Sequence, residues 1–260
     1  MTNDSFTPQS TGTNPAGIPV YTFGGLEFVR VSKGKFIMGS DVREQEKPQH
    51  AVDIPYDYWM ARFPVTNEQY AMYIGKGEHP VNYWQQKKEH PLDIISWDEA
   101  ISYCKWLNNL LYGELPNGYL LRLPTEAEWE KAARGNDARE WPWGNEFDKN
   151  KCNSADGKKN ETTPIGFYSP QGDSPYGCAD MVGNVSEWTH SLYKPYPYQS
   201  DDDHESETAP GYRVLRGGSW NDYRSIASCT FRLNYHYSDI SDVPFGFRVC
   251  ASPISFNSVL

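Results

Sequence analysis

Residues 213–220 read RVLRGGSW and residues 246–251 read GFRVCA, and the 25-residue window from Asn221 to Phe245 lies between these two blocks. The blocks combine paired glycines, arginines and large apolar residues, a composition typical of fixed framework. The window contains no Lys, Glu, Gln, Met or Trp, although these five types make up about a quarter of residues 1–220. It is rich in Tyr, Asn, Ser and Asp, which supply rigid contact area and adaptable hydrogen bonds. The window therefore indicates either a contact surface or an ordinary surface loop.

Length and charge limit the class of protein. A chain of 260 residues can bury a sizeable core, and no stretch approaches the roughly 20 apolar residues of a membrane span. A net charge of -10 argues against a nucleic-acid partner. The first residues lack the basic and apolar regions of a secretion signal, so we predict a cytoplasmic protein. We predict a flexible tail over 1–19, one domain over 20–253 and a second tail over 254–260, with the acidic run 201–207 as a solvated loop.

Local patterns predict short elements. Apolar extended runs on both sides of Lys33 and Gly34 predict a hairpin. A Ser or Thr followed three residues later by Glu or Gln predicts the start of a helix, and this occurs at Thr66, Ser96 and Thr125. Gly135 is expected to end the third helix. Beyond residue 140 the chain is rich in turns and aromatic residues, and helical periodicity is absent.

Cysteine and histidine spacing gives no sign of a metal centre. The five cysteines form no CxxC pair, so each is expected to be a small buried residue or a surface thiol. His79 and His90 flank an irregular polar segment and have no partner ligand nearby in sequence. We therefore expect this segment to be a solvated loop.

Several blocks together resemble one known family. They are RLPTEAEWEKAARG, WPWG, TTPIGFY, DMVGNVSEWT, RVLRGGSW and GFRV, and they resemble the signature blocks of the formylglycine-generating-enzyme or sulfatase-modifying-factor family. The resemblance spans about residues 24–251. It implies an α+β, C-type lectin-like domain with a small twisted antiparallel sheet, two flanking helices and much irregular loop.

The resemblance also bears on catalysis. Copper-dependent members hold the metal with two cysteines after the RGGS block, and the corresponding positions here are Asp222 and Ala227. One nearby thiol, Cys229, does not supply a bis-thiolate site, so no copper is expected. The iron-dependent sulfoxide synthases of the family carry a histidine-bearing helical domain that is not recognisable in this sequence. A metal-dependent oxidoreductase stays open as the alternative, with Cys229 and His236 as its nearest pair of ligands.

Some members of the family order their loops with calcium. By resemblance, one calcium site would use Asp180, Gly183, Val185 and Glu187, the two middle residues through their carbonyl groups. The other interpretation is that Asp180 and Glu187 only cap and bridge loops. Asn153, Ser154 and Asp156 resemble a second site less completely.

The family also includes the variable proteins of diversity-generating retroelements. Their mutagenesis replaces template adenines, and an Asn codon altered in this way does not become Lys, Glu, Gln, Met or Trp, the types absent from the window. We therefore predict a ligand-binding protein without oxidase activity that displays a diversified C-terminal surface, as those variable proteins do. This surface would contact a protein or other macromolecule, with Tyr223, Tyr235 and Tyr237 contributing most. An inert accessory domain is a third interpretation. The predicted contact residues are Asn221, Asp222, Tyr223, Ser225, Ile226, Ser228, Asn234, Tyr235, His236, Tyr237, Ser238, Asp239, Ile240, Ser241 and Asp242.

Overall fold

The computed structural model describes residues 8–199, 203–236 and 244–253, with His236 described by its backbone alone. The described chain contains twelve strands and three α-helices. The strands are β1 (Gly12–Thr13), β2 (Pro19–Phe23), β3 (Leu26–Val31), β4 (Gly34–Met38), β5 (His50–Ile54), β6 (Tyr58–Ala61), β7 (Tyr119–Arg122), β8 (Ser186–Leu192), β9 (Tyr212–Arg216), β10 (Arg232–His236), β11 (Phe245–Phe247) and β12 (Cys250–Pro253). The helices are α1 (Asn67–Ile74), α2 (Trp97–Leu110) and α3 (Glu126–Arg134).

Three sheets organise these strands. A six-stranded sheet has the order β1-β2-β3-β6-β12-β7, a four-stranded sheet has the order β10-β9-β8-β11, and β4 pairs with β5. The pairing is antiparallel except between β11 and β8, which run parallel. The predicted window thus begins after β9, returns as β10 at the edge of the four-stranded sheet and ends at β11 on its opposite edge. The α+β class and the lectin-like arrangement predicted from the family blocks agree with this architecture.

All three predicted helix starts are confirmed. Thr66, Ser96 and Thr125 each accept a hydrogen bond from the backbone N–H three residues later, and the Gln or Glu at that position bonds back to the cap. Gly135 ends α3 with a positive φ of 71°. Each capping box is confined to four residues, which explains why sequence alone found it. No helix in the described part of the chain is long and apolar enough to cross a bilayer.

The predicted hairpin at Lys33 and Gly34 is wrong. Strand β3 already has β2 on one side and β6 on the other, so β4 leaves this sheet and pairs with β5. The hairpin forms one strand earlier, where Phe23 pairs with Leu26 across Gly24 and Gly25. The two glycines take positive φ values of 55° and 78°, which a tight reversal of direction requires.

Two predicted loose segments are more tightly held than expected. Strand β1 pairs with β2, and the buried Asn14 side chain accepts hydrogen bonds from the N–H groups of Ala16 and Ile18, so the packed chain begins before residue 19. In the acidic run, Glu205 is a buried carboxylate that accepts hydrogen bonds from Ser191 and Tyr198 and pairs with His190. The described part of that run is therefore attached to the four-stranded sheet through β8.

Candidate ligand-binding surface

Two glycines directly precede the window, and a larger residue at either position would displace neighbouring atoms. Gly217 and Gly218 have φ values of 88° and 68°. A Cβ on Gly217 would lie 2.8 Å from the Met181 carbonyl oxygen, and one on Gly218 would lie 3.0 Å from the Cα of Ala227. The RGGSW block therefore packs backbone against backbone, which agrees with its prediction as fixed framework.

Hydrogen bonds to the preceding block and to Ala155 hold the first part of the window, residues 221–226. The Asp222 carboxylate accepts from the N–H and hydroxyl of Ser219, and the Asp222 carbonyl accepts from the N–H of Ala155 at 2.9 Å. The N–H groups of Ile226 and Ala227 both donate to the Tyr223 carbonyl. The segment is thus folded into turns whose shape depends on main-chain atoms and on Asp222.

Four of the predicted contact residues project outward from the described window. Asn221, Tyr223, Ser225 and Asn234 are exposed, and Tyr223 is 64% exposed. Within the described residues, none of these four side chains makes a hydrogen bond or an ion pair. In the described part of the chain these four groups are therefore open to contact with another molecule.

The remaining predicted contact residues fall into three groups. Ile226 is half-buried, and Tyr235 is also half-buried with its ring edge-on to Phe245 at 4.9 Å, so each offers only part of its surface. Ser228 is fully buried and its hydroxyl accepts from the Phe231 N–H, which makes it a turn residue and corrects its assignment as a contact. The His236 side chain and residues 237–243, including Tyr237, Ser238, Asp239, Ile240, Ser241 and Asp242, lie outside the described residues.

Two buried arginines, Arg232 and Arg248, brace the window. Arg232 donates to both oxygens of Glu126 at 2.5 and 2.9 Å and packs 3.8 Å from the centre of the Tyr196 ring. Arg248 donates to both oxygens of Glu187 at 2.7 Å. In both cases burial opposes the charged form, but the carboxylate raises the pKa of the guanidinium above its ordinary value.

Helix α3 supplies most of the carboxylates that anchor the window. Glu126 binds Arg232, and Glu130 binds Arg216 of β9 and Arg134 of its own helix. Every residue of α3 is buried, including its charged ones. The sequence pattern did not indicate that the charged residues of α3 are buried, because their partners on β9 and β10 are distant in sequence.

The predicted calcium residues do not fit a calcium site as they are arranged. The Glu187 carboxylate is already neutralised by Arg248 and also accepts from the indole N–H of Trp129 at 2.8 Å. Asp180 accepts from the Gly166 N–H, and burial raises the pKa of this carboxyl to about 6. In the second set, Asn153 Oδ1 and Ser154 Oγ are buried without partners in the described residues, but Asp156 is turned towards the Arg224 N–H. Calcium prefers several anionic oxygens, and these two sets offer few that are free.

We therefore expect calcium to leave the thermal stability unchanged. Unfolding followed by circular dichroism should give the same Tm in excess calcium and in EDTA, within about 1 °C. The control is the Asp180→Asn variant. It removes the one carboxylate of the first set that is not bonded to Arg248, and its Tm should also be the same in both buffers. A calcium-dependent rise of several degrees that Asp180→Asn abolishes would contradict this result and restore the calcium site.

The thiols provide no reactive centre in the described residues. All five cysteines are buried and unpaired. Burial raises the pKa of the Cys229 thiol to about 12, and the Ala227 side chain beside it is fully buried and has no donor atom. No group of three or more His, Cys, Asp or Glu residues in the described ranges is arranged to hold a metal ion.

The fold and this surface define a C-type lectin-like domain of the formylglycine-generating type. The model of the sulfatase-modifying factor enzyme 1-like domain matches residues 22–253. The chain belongs to this family.

Relatives of different kinds share the domain. The chain is 39% identical to the bovine inactive C-alpha-formylglycine-generating enzyme 2, with 87% of this chain and 88% of that protein covered. It is 32% identical to the serine/threonine-protein kinase pkn1 of Chlamydia pneumoniae, covering 88% of this chain and 38% of that protein. It is 29% identical to the hercynine oxygenase of Mycolicibacterium smegmatis, covering 78% and 56% respectively. The chain thus spans between about two fifths and just over half of the length of the kinase and the oxygenase.

Solved structures show the same fold. Treponema denticola variable protein 1 superposes with a TM-score of 0.72 at 22% identity, covering 90% of this chain and 98% of that one. PvdO from Pseudomonas aeruginosa superposes with a TM-score of 0.73 at 23% identity, covering 95% of this chain and 100% of that one. At these identities the likeness concerns the fold alone.

Proposed function

We propose that this chain is a cytoplasmic ligand-binding protein that presents the window as its contact surface on a rigid lectin-like scaffold, without oxidase activity. The observation that carries the proposal is that Asn221, Tyr223, Ser225 and Asn234 are exposed and have no bonded partner in the described residues. Buried arginine–carboxylate pairs fix the surrounding framework. Because the framework is held by buried pairs and not by the exposed side chains, those side chains can vary while the backbone keeps its shape. The ligand is expected to be a protein or another macromolecule.

A display experiment tests this surface. We would randomise positions 221, 223, 225 and 234 and select the library against lysozyme, used here only as a model protein target. Binders should emerge with wild-type Tm, because those side chains have no bonded partner among the described residues. A matched library at the exposed positions Val42, Met72, Leu110 and Tyr112, which are scattered over other elements, should yield none. Destabilised proteins throughout the window library, or equal success of the control library, would refute the proposal.

Absence of oxidase activity is tested separately. The purified protein is loaded with Cu(I) and given a cysteine-containing sulfatase peptide, and formylglycine is sought by mass spectrometry. We expect no product, since Asp222 and Ala227 stand at the copper positions and Cys229 is buried with a raised pKa. Turnover at any rate above a copper-only blank would overturn this part of the proposal.

A second candidate function is favoured by one observation, the similarity to a hercynine oxygenase. That similarity covers only part of the oxygenase, and an iron site would need ligands beyond those described here. Tight binding of Fe(II) by the purified chain, measured by calorimetry, would support the oxygenase interpretation. We expect no such binding.

A further inference from the structure

A shallow groove outside the window has a charge opposite to that of the whole protein. Its volume is about 450 Å³, and it is lined by Lys149, Asn150, Gly157, Lys159, Phe167, Tyr168 and Gln171. The lining thus contains two ammonium groups and no carboxylate, on a chain whose net charge is -10. A volume of this size accommodates one or two side chains of a ligand.

The cationic groups of the groove are available. Lys149 and Lys159 are exposed and form no ion pair within the described chain. The Lys159 ammonium lies 5.1 Å from the centre of the Phe167 ring, and this ring is 54% exposed. An apolar face beside two free positive charges favours a ligand that carries an anionic group next to an apolar or aromatic one.

The carboxylates near the groove in sequence each have a partner within the chain. Asp148 accepts from the Asn150 N–H, and Asp156 accepts from the Arg224 N–H at 2.9 Å. Glu161 forms an ion pair with Lys87 at 3.1 Å. Each of these three carboxylates is thus engaged by a donor or a cation, as is Asp180, which accepts from the Gly166 N–H.

The groove adjoins the contact surface. Gly157 lines it, and the adjacent residues Ala155 and Asp156 hold the window through the Asp222 carbonyl and the Arg224 N–H. The Arg224 guanidinium also lies 5.7 Å from the centre of the Phe147 ring. A macromolecule seated on Tyr223 would therefore extend across the same loop towards Lys149 and Lys159.

We propose that this groove binds an acidic peptide segment in which carboxylate side chains alternate with apolar or aromatic ones. The proposal rests on the proposed function in that the segment would belong to the same macromolecular ligand. A peptide fits better than a nucleic acid or a sulfated sugar, because these polyanions need an extended basic face and the groove offers two ammonium groups. The net negative charge of the rest of the protein would repel a longer polyanion.

The test uses a fluorescein-labelled hexapeptide of alternating glutamate and phenylalanine and measures fluorescence anisotropy at low salt. The full chain should bind it, with a Kd that rises with ionic strength. The double variant Lys149→Glu/Lys159→Glu should weaken binding about tenfold or more, and Phe167→Ala about threefold. Lys35→Glu/Lys76→Glu, at two exposed lysines outside the groove, changes the net charge equally and should alter Kd less than about twofold.

Each alternative outcome is informative. No binding by the wild-type chain, or equal loss in both lysine variants, would overturn the proposal. So would tighter binding of a heparin-derived tetrasaccharide with the same dependence on Lys149 and Lys159. Tyr223→Ala should leave the hexapeptide Kd unchanged, so failure of the groove and failure of the window are distinguishable. Thermal melts establish that all variants are folded.

Discussion

Replacing Arg232 by methionine is expected to lower the free energy of unfolding by about 3–5 kcal/mol, although this residue lies inside the window. Its guanidinium bonds both oxygens of Glu126 and the carbonyls of Gln45 and Lys194. Methionine retains the volume but leaves the Glu126 carboxylate buried with its principal partner gone. A thermal melt should show a Tm lower by about 10 °C.

The matched control for this variant is Arg224→Met. Arg224 is an exposed arginine of the same window, and we expect its replacement to change stability by less than about 0.5 kcal/mol. The double variant Arg232→Met/Glu126→Leu should recover about 2 kcal/mol of the loss, because it removes the stranded charge. If Arg224→Met and Arg232→Met were equally stable, the window would not be braced as we describe. Denaturant unfolding measures all three variants.

A single methyl group at Gly183 is expected to destabilise the protein by about 3–5 kcal/mol. Gly183 has a φ of 78°, and a Cβ there would lie 2.2 Å from the carbonyl oxygen of Asn153. The two residues form an isolated β-bridge, and the Gly183 N–H donates to the Gly217 carbonyl. Gly183→Ala therefore strains the backbone and separates two chain segments beneath the window.

The Gly113→Ala variant separates the effect of backbone strain from the effect of the close contact with Asn153. Gly113 has a similar φ of 88°, and a Cβ added there would have no described atom within 4 Å, so its replacement costs only the conformational strain, about 1 kcal/mol. If both variants lost a comparable free energy of unfolding, the close approach to Asn153 would contribute nothing to the destabilisation. A Gly183→Ala variant that melts like the wild type would contradict the described packing altogether.

Local information carried much of the fold prediction. The starts of α1, α2 and α3 follow from capping boxes, in which each hydrogen bond joins residues three apart. The lectin-like class came from a resemblance of sequence blocks, and the matching family model bears it out. The hairpin prediction failed because the partner of β4 depends on which edges of the first sheet are already occupied.

The candidate surface was predicted in outline but not residue by residue. The missing residue types marked the window, but they gave no indication that Ser228 is buried or that Tyr235 packs on Phe245. Likewise the spacing of Asp180 and Glu187 resembled a calcium site. In the structure the Glu187 carboxylate instead accepts hydrogen bonds from Arg248, which lies 61 residues away along the chain. Burial and charge pairing arise between distant segments, and a local pattern does not encode them.

By itself the sequence determined the helix starts, the family framework and the position of a compositionally distinct window between two fixed blocks. Only the tertiary structure decided which side chains of that window are free, which arginines brace it, and that a lysine-lined groove adjoins it. The physical reason is distance along the chain. Capping and turn formation are satisfied within a few residues, whereas the partner of Arg232 is 106 residues away and is chosen by the packing of α3 against the four-stranded sheet.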